Sequence, residues 1–521
     1  LTTAGEFFSS CGVARRWKAS AAAVGIVLLW TLVACRRLGL PGLQYDEVLF
    51  AAWLYPGKQA SATWIERLML MPYMGALKPW LYALWLPLAG HGAWAVRLPM
   101  ILLSAVTLGL IYRVLRRVVE PGLALALLAL AAGDALYLFT SRYDWGPVVL
   151  QRLCFWGALA ILTGGASARR AFFAGLLCGL GLFDKLSFHW LLVAGAATAL
   201  IFYPRQLRER LHVSGFAGFI VGSLPLWLYR GAGFGQGAVD LEGDWSPIQA
   251  KLSLVRNALA GRPLNGWIAH SYLEPEIQED FQPPGWLAFA ERWAGDWLLL
   301  LAAVAFLAMA VLLMRGDAKA RFAAAGALFC ALAGTQMFVL NGAGYLHHWA
   351  LAAPVPQLAI GLAGAALWER RMGRPWLVLA FVSMLAVQAL ALARQYKEIV
   401  DYGGRPSWSE AIHPLADHLL AGKPEHVVIL DWGIETQLLL LSGGELPTRS
   451  VFGDADITHW LEQPGDRVFV AYESGVPDLF PGAAKDLERL AAALGLELEK
   501  FAPIEDRQGR PIYRIWRVRR P

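Results

Sequence analysis

What most restricts this chain is a succession of apolar runs, each near the length of a membrane-crossing helix, separated by short stretches rich in arginine. A helix needs about 20 predominantly apolar residues to cross the hydrocarbon layer. Eleven candidates stand at 19–35, 95–112, 121–140, 146–164, 171–184, 187–203, 213–229, 297–314, 322–340, 349–367 and 376–394. The fifth is short, which predicts a tilted or broken span. Of the 521 residues, 57% are hydrophobic and 17% charged, where a soluble chain carries about 25% charged. The fold class expected is a polytopic α-helical membrane protein with about eleven transmembrane helices.

Orientation follows from the basic residues, which collect on cytoplasmic loops. Arg113, Arg116 and Arg117, then Arg169 and Arg170, Arg205, Arg208 and Arg210, Arg315, Lys319 and Arg321, and Arg370, Arg371 and Arg374 all follow even-numbered runs. The N-terminus is then cytoplasmic and the C-terminus outside. Arg36 and Arg37 oppose this, outweighed by Arg15, Arg16 and Lys18 before the first run. The net charge of +6 is thereby explained as a topology signal, and no nucleic-acid partner is expected. The five cysteines are scattered without metal-ligand spacing, so no disulfide framework is expected. The first run lacks a convincing cleavage site and reads as a retained anchor.

Two further outer segments are long, 36–94 and 230–296. The first contains "VLFAAWLY" and "PWLYALWLPLAG", too short or interrupted to span and rich in aromatic residues that suit the headgroup level, which predicts helices lying on the membrane surface. The second, rich in Gly, Pro and Trp, reads as a lid or binding loop. After Arg394 the composition turns soluble: "HVVILDW", "DRVFVAYES" and "PIYRIWRV" alternate with helix-like stretches such as "AAKDLERLAAALGLE". A transmembrane region, 1–395, and a small outer α/β domain, 396–521, are expected. No phosphate-binding loop or dinucleotide fingerprint is present, so cytoplasmic ATP is not indicated as an energy source.

Ionisable groups at membrane spans are costly and mark function by default. On the outer face fall Asp46 and Glu47, Lys78, Arg142 and Asp144, Asp184 and Lys185, and His347 and His348. Each has an ordinary reading as well. Arg142 and Asp144 could pair with one another or cap a helix, Asp184 and Lys185 could form a polar turn, and the histidines could pack beside Trp349. Asp134 and His189 read as internal hydrogen-bonding residues. Collected at one face, these groups suit a lipid-linked phosphate donor, whose phosphate sits at headgroup level beside Lys78, Arg142 or Lys185 while its tail stays in lipid. Phosphate is already a good leaving group, so one carboxylate suffices as a base toward the acceptor. Adjacent helical residues diverge by about 100°, so Asp46 and Glu47 do not share one task.

The order of these motifs resembles a family. "YDEV" just after the first run, "LKPWLYALWLPLAGHGAWAVRLPMILLSAVTLGLIYRVLRR", "SRYDW" and "GLGLFDKLSF" are similar to motifs of the C-class (GT-C) glycosyltransferases of the protein O-mannosyltransferase and lipid A aminoarabinose transferase type, glycosyltransferase family 39-like. The resemblance covers about residues 20–395. It implies an inverting transferase of the bacterial inner membrane that takes a monosaccharide from a polyprenyl-phosphate donor on the periplasmic face. The acceptor would be a lipid, a glycan or a protein. Asp46 matches the catalytic aspartate, Lys78 a lysine that contacts donor phosphate, and Lys185 the lysine of the later motif. Leu77 stands where relatives often have an acid associated with a metal. The resemblance thus implies no certain cofactor and leaves a divalent metal open. The candidate set is Asp46 as catalytic base, with Lys78, Arg142, Lys185, Glu47, Asp144, His347 and His348 around donor and substrate. Two competing classes are a transporter or flippase of lipid-linked sugars, which would place ionisable groups at the bilayer midplane and often shows inverted repeats, and a membrane scaffold, for which Asp46 is dispensable.

Overall fold

In the computed structural model, which describes residues 2–55, 62–144, 146–165, 167–205, 213–234, 285–314, 318–339, 346–404, 408–473 and 482–520, every apolar run lies on a helix or on a broken pair of helices. Helix α1 is Thr2–Cys35 and the short α2 is Tyr45–Ala52. A small antiparallel hairpin, β1 Met69–Met71 and β2 Met74–Gly75, leads into α3, Leu77–Ala89. The bundle continues through α4 Ala93–Leu115, α5 Pro121–Gly133, α6 Ala135–Arg142, α7 Val148–Leu162, α8 Ala168–Asp184, α9 Phe188–Phe202 and α10 Val213–Gly231. It closes with α11 Gly285–Met314, α12 Ala318–Val339, the single turn α13 Leu346–Trp349, α14 Val355–Glu369 and α15 Arg374–Tyr402. By length and hydropathy, four helical stretches among the described residues can cross a membrane, Trp17–Cys35, Ala93–Leu115, Ala350–Glu369 and Arg374–Tyr402, or five if the bent pair α5–α6 is one span.

That bend corrects the third run, expected as one helix over 121–140. Asp134 leaves the helical conformation (φ −62°, ψ 113°) and its Oδ1 accepts the Tyr137 N–H at 2.8 Å, capping α6. Gln388 Oε1 accepts the Ala135 N–H at 3.0 Å. The two helices meet at 56°. The fifth run pairs closely with the seventh: a Cβ on Gly179 would lie 2.2 Å from the Phe219 carbonyl oxygen, and one on Gly218 2.0 Å from that of Phe172. Only glycine allows backbones this close.

Both stretches expected on the membrane surface are helical, as α2 and α3. The expected loop 230–296 lies, over 235–284, outside the described residues. The hairpin β1–β2 reaches the end of α8, where Met74 bridges Lys185 and the Leu186 N–H bonds the Tyr73 carbonyl at 3.0 Å.

After α15 comes α16, Ile412–Gly422, and then a mixed sheet. Its elements are β3 His426–Ile429, α17 Ile434–Leu441, β4 Thr448–Ser450, α18 Asp454–Glu462, β5 Gly465–Tyr472, α19 Ala483–Ala493, β6 Glu499–Lys500, β7 Ile504–Glu505 and β8 Pro511–Arg520. Strand order is β4-β3-β5-β8-β6, with β7 also on β8; β3 is parallel to β4 and β5, and β8 antiparallel to β5. Side chains alternate across the pleat. Val427, Ile429, Val468 and Val470 pack with α16 and α17, while Val428, Phe469, Trp516 and Val518 pack with α18 and α19. This region is seated on the segment around α2. Gln437 Nε2 donates to the Leu43 carbonyl at 2.7 Å, the Tyr45 and Trp432 rings lie 4.2 Å apart, and Leu439 and Leu440 join Val48, Phe50 and Tyr82 in one apolar cluster.

Candidate active site

The site is built at the start of α2. Gln44 precedes the helix in extended conformation and its Oε1 accepts the Asp46 N–H at 2.8 Å. This places Asp46 and Glu47 in the first turn, where unsatisfied N–H groups favour carboxylates. The two side chains then part. Asp46 is half-buried, whereas Glu47 is buried against Arg97 of α4. Arg97 Nε donates to Glu47 Oε1 at 2.6 Å and its Nη2 to Oε2 at 2.9 Å. The same guanidinium donates to the carbonyls of Leu38, Pro41 and Gly42 at 2.8, 2.9 and 3.0 Å. Glu47, expected around the substrate, is instead committed to this clamp, which fixes the loop from α1 into α2.

Arg142 is likewise engaged by backbone carbonyls. From the end of α6 it donates to the carbonyls of Ala34, at 3.0 Å, of Arg36 and Arg37, and of Leu40, at 2.6 Å. A cation at a helix C-terminus satisfies carbonyls that lack intrahelical partners. Arg142 therefore closes the end of α1. It does not pair with Asp144, whose partner is Lys78.

Lys78 is fully buried in the first turn of α3, its Nζ 2.9 Å from Asp144 Oδ2 and donating to the carbonyls of Asp144 and Gly146 at 3.0 and 2.9 Å. Two of the three ammonium donors thus go to backbone carbonyls, and the Asp144 carboxylate lies beside them. Asp144 Oδ1 accepts the Val149 N–H at 3.0 Å and so caps α7. Lys78, expected at the donor phosphate, makes here an internal ion pair with Asp144 ahead of α7.

Lys185 is different. It ends α8, held by the bridge to Met74 and by Gln151 Nε2, which donates to its carbonyl at 2.9 Å. Its Nζ would lie 3.4 Å from a Cβ on Gly146, and among the described residues it has no carboxylate within 4.0 Å. Burial pulls its ammonium below the usual lysine range, with Asp46, Asp184 and Asp144 acting against that. Burial in turn pushes the Asp46 carboxyl above the usual range, opposed by Lys185, by the Gln44 hydrogen bond and by Lys78. Asp46 and Lys185 therefore feel one another across a gap.

His348, in α13, lies edge-on to Trp190 at 5.0 Å, and burial, reinforced by Lys185, pushes its imidazole down to about 3, which leaves it neutral. The side chain of His347 lies outside the described residues. Two groups near the site stand outside the expected set. Arg152, buried on α7 over the Tyr137 ring at 4.6 Å, interacts with Asp134 and Asp144; its signal was a charge inside the apolar run "VVLQRLCFW". Asp184 is buried with both carboxyl oxygens lacking a hydrogen-bond partner among the described residues. Among those residues, no three His, Cys, Asp or Glu side chains gather as metal ligands.

Residues 74–229 match the family described as dolichyl-phosphate-mannose-protein mannosyltransferase, a span that includes Lys78, Asp144 and Lys185. The structure of ArnT from Cupriavidus metallidurans bound to undecaprenyl phosphate aligns with a TM-score of 0.60 at 15% identity, over 95% of this chain and 97% of that one. The chain has the C-class glycosyltransferase fold. The apo state of the same ArnT aligns with a TM-score of 0.58 at 15% identity, over 96% and 98% of the two chains. The apo oligosaccharyltransferase of Archaeoglobus fulgidus aligns with 0.50 at 12% identity, over 92% of this chain and 69% of that one. No curated protein matches the sequence.

Proposed function

We propose that this protein is an inverting glycosyltransferase that moves a monosaccharide from a polyprenyl-phosphate carrier to a hydroxyl or amine of a lipid, glycan or protein acceptor. Its site lies on the outer, periplasmic face of a bacterial inner membrane, with the N-terminus cytoplasmic and the C-terminal sheet forming a separate outer domain. The observation that carries this reading is the open pair Asp46 and Lys185, a half-buried carboxylate facing an ammonium that no carboxylate among the described residues neutralises within 4.0 Å. The match to a dolichyl-phosphate-mannose transferase family and the fold shared with an ArnT that binds undecaprenyl phosphate support it.

In this mechanism Lys185 holds the donor phosphate. A unit charge pair at about 4 Å is worth about 4 kcal/mol at an effective dielectric near 20, and the attraction grows as the bond from the anomeric carbon to the phosphate oxygen breaks. The acceptor oxygen or nitrogen attacks that carbon from the opposite side, which inverts it. Asp46 takes the proton, and polyprenyl phosphate departs as the anion. Lys78 holds the backbone carbonyls of Asp144 and Gly146 beside Lys185, and Glu47 with Arg97 fixes the start of α2.

Reconstitution of the purified protein with polyprenyl-phosphate sugars tests the proposal. Asp46→Asn is expected to lose about 10²- to 10⁴-fold of the transfer rate while still binding the carrier. Transfer by the variant at the wild-type rate would remove Asp46 as the base, and no transfer from any such donor would remove the function.

A further inference from the structure

At the end of the bundle remote from Asp46, helices α1 and α4 leave a cleft of about 600 Å³. Its walls are Val24, Val27 and Leu28 of α1 and Gly109 of α4, and its rim carries Arg113 and Arg116. Val24 and Leu28 are 57% and 59% exposed. A Cβ on Gly109 would meet nothing within 4 Å, so the trough is open along its floor. The rim is fixed by two cross-helix bonds, Tyr112 Oη to the Ala19 carbonyl at 3.1 Å and Arg116 Nη1 to Ser20 Oγ at 3.3 Å. Arg117, also at the rim, is tied to α7 through the Ala160 carbonyl at 2.9 Å and Thr163 Oγ1 at 2.6 Å. Among the described residues, no acidic side chain lines the cleft.

We propose that this cleft is a binding site for an anionic bilayer phospholipid. Its phosphate lies on Arg113 and Arg116, and one acyl chain runs along Val24, Val27, Leu28 and Gly109, in the leaflet opposite Asp46. An apolar trough under a cationic rim, with no acidic side chain among the described lining residues, fits a lipid with a net negative head. It is poorly suited to a zwitterionic lipid, whose choline would meet two arginines, and to free phosphate, which leaves the trough unfilled. Basic pockets between transmembrane helices recognise anionic headgroups in this way, each arginine contributing on the order of 1 kcal/mol. Arg113 and Arg116 then do more than orient the chain.

Native mass spectrometry of the full chain, titrated with phosphatidylglycerol, phosphatidylcholine or inorganic phosphate, tests the site apart from any catalytic reading. Wild type is expected to hold one phosphatidylglycerol in preference to phosphatidylcholine, and inorganic phosphate should not displace it. Arg113→Ala with Arg116→Ala should weaken this binding about 30-fold. The decisive variant is Gly109→Phe, which fills the trough, leaves both cations in place and enters open space, so folding is preserved as judged by size exclusion. It should also lose the lipid, whereas Arg169→Ala with Arg170→Ala, on another basic loop, should not. Wild-type binding by Gly109→Phe, equal retention of phosphatidylcholine, displacement by phosphate, or equal loss in the Arg169 and Arg170 variant would each overturn the proposal.

Discussion

Glu47 and Asp46 are neighbours in sequence and each faces a cation, yet the two units differ in kind. Glu47 and Arg97 are closed on one another: both carboxylate oxygens accept, and the other guanidinium donors go to three backbone carbonyls. Asp46 and Lys185 interact without contact, and neither is saturated by the other. A saturated buried pair fixes backbone and has nothing left for a ligand. An unsaturated one stays costly until something enters the gap. The helical divergence of adjacent residues assigns the two carboxylates to these two fates.

The sharpest way to break the comparison is to neutralise one acid at a time. Asp46→Asn should lower transfer by the 10²- to 10⁴-fold expected of a general base with a melting temperature no lower than wild type, since it removes a charge whose ionisation burial opposes. Glu47→Gln should instead show its main effect in thermal unfolding. The larger stability loss is expected for Arg97→Ala, which leaves a buried carboxylate uncompensated, a change that costs about 3–5 kcal/mol. If Arg97→Ala melted like wild type while losing only turnover, the clamp would have to be moved into the chemistry.

Much of this was legible beforehand, and the misses have a pattern. Apolar length marks helices because the membrane demands it, and Asp46 and Lys185 stand out because charge at a membrane edge is expensive. The roles of Glu47, Lys78 and Arg142 were not legible, because their partners are 50, 66 and more than 100 residues away. Spacing cannot distinguish a cation that meets a ligand from one that gathers carbonyls. The break at Asp134 was hidden for another reason: one polar residue in an apolar run reads as tolerated until its carboxylate is seen capping Tyr137. In the C-terminal sheet, β3, β5 and β8 were signalled by β-branched residues. The three-residue β4 and the strand order were not, since pairing is set by contacts between distant segments.

The open pair can be sharpened by pH. Asp46 must be ionised to accept a proton, and burial raises its carboxyl while Lys185 lowers it. Removing that cation in Lys185→Met leaves the raising influence less opposed. The acid limb of the rate profile should then move to higher pH, beyond the loss of phosphate binding that lowers the rate throughout. Lys185→Arg keeps the charge and should leave the limb in place. A limb that moved to lower pH in Lys185→Met would show that the titrating group is not Asp46.

The smallest effect is expected where the closed pair is removed whole. Lys78 and Asp144 are both buried and partnered at 2.9 Å, and breaking such a pair by one substitution strands the other charge, at about 3–5 kcal/mol. Replacing both together, Lys78→Met with Asp144→Leu, strands neither. The remaining losses are the Asp144 cap on the Val149 N–H and the two carbonyls that Lys78 serves. The cap alone is worth about 1 kcal/mol, so the double variant should unfold at a temperature closer to wild type than either single variant. A double variant as unstable as the sum of the singles would mean that the two side chains do not act as one internal pair. Lys78 would then be returned to the donor phosphate.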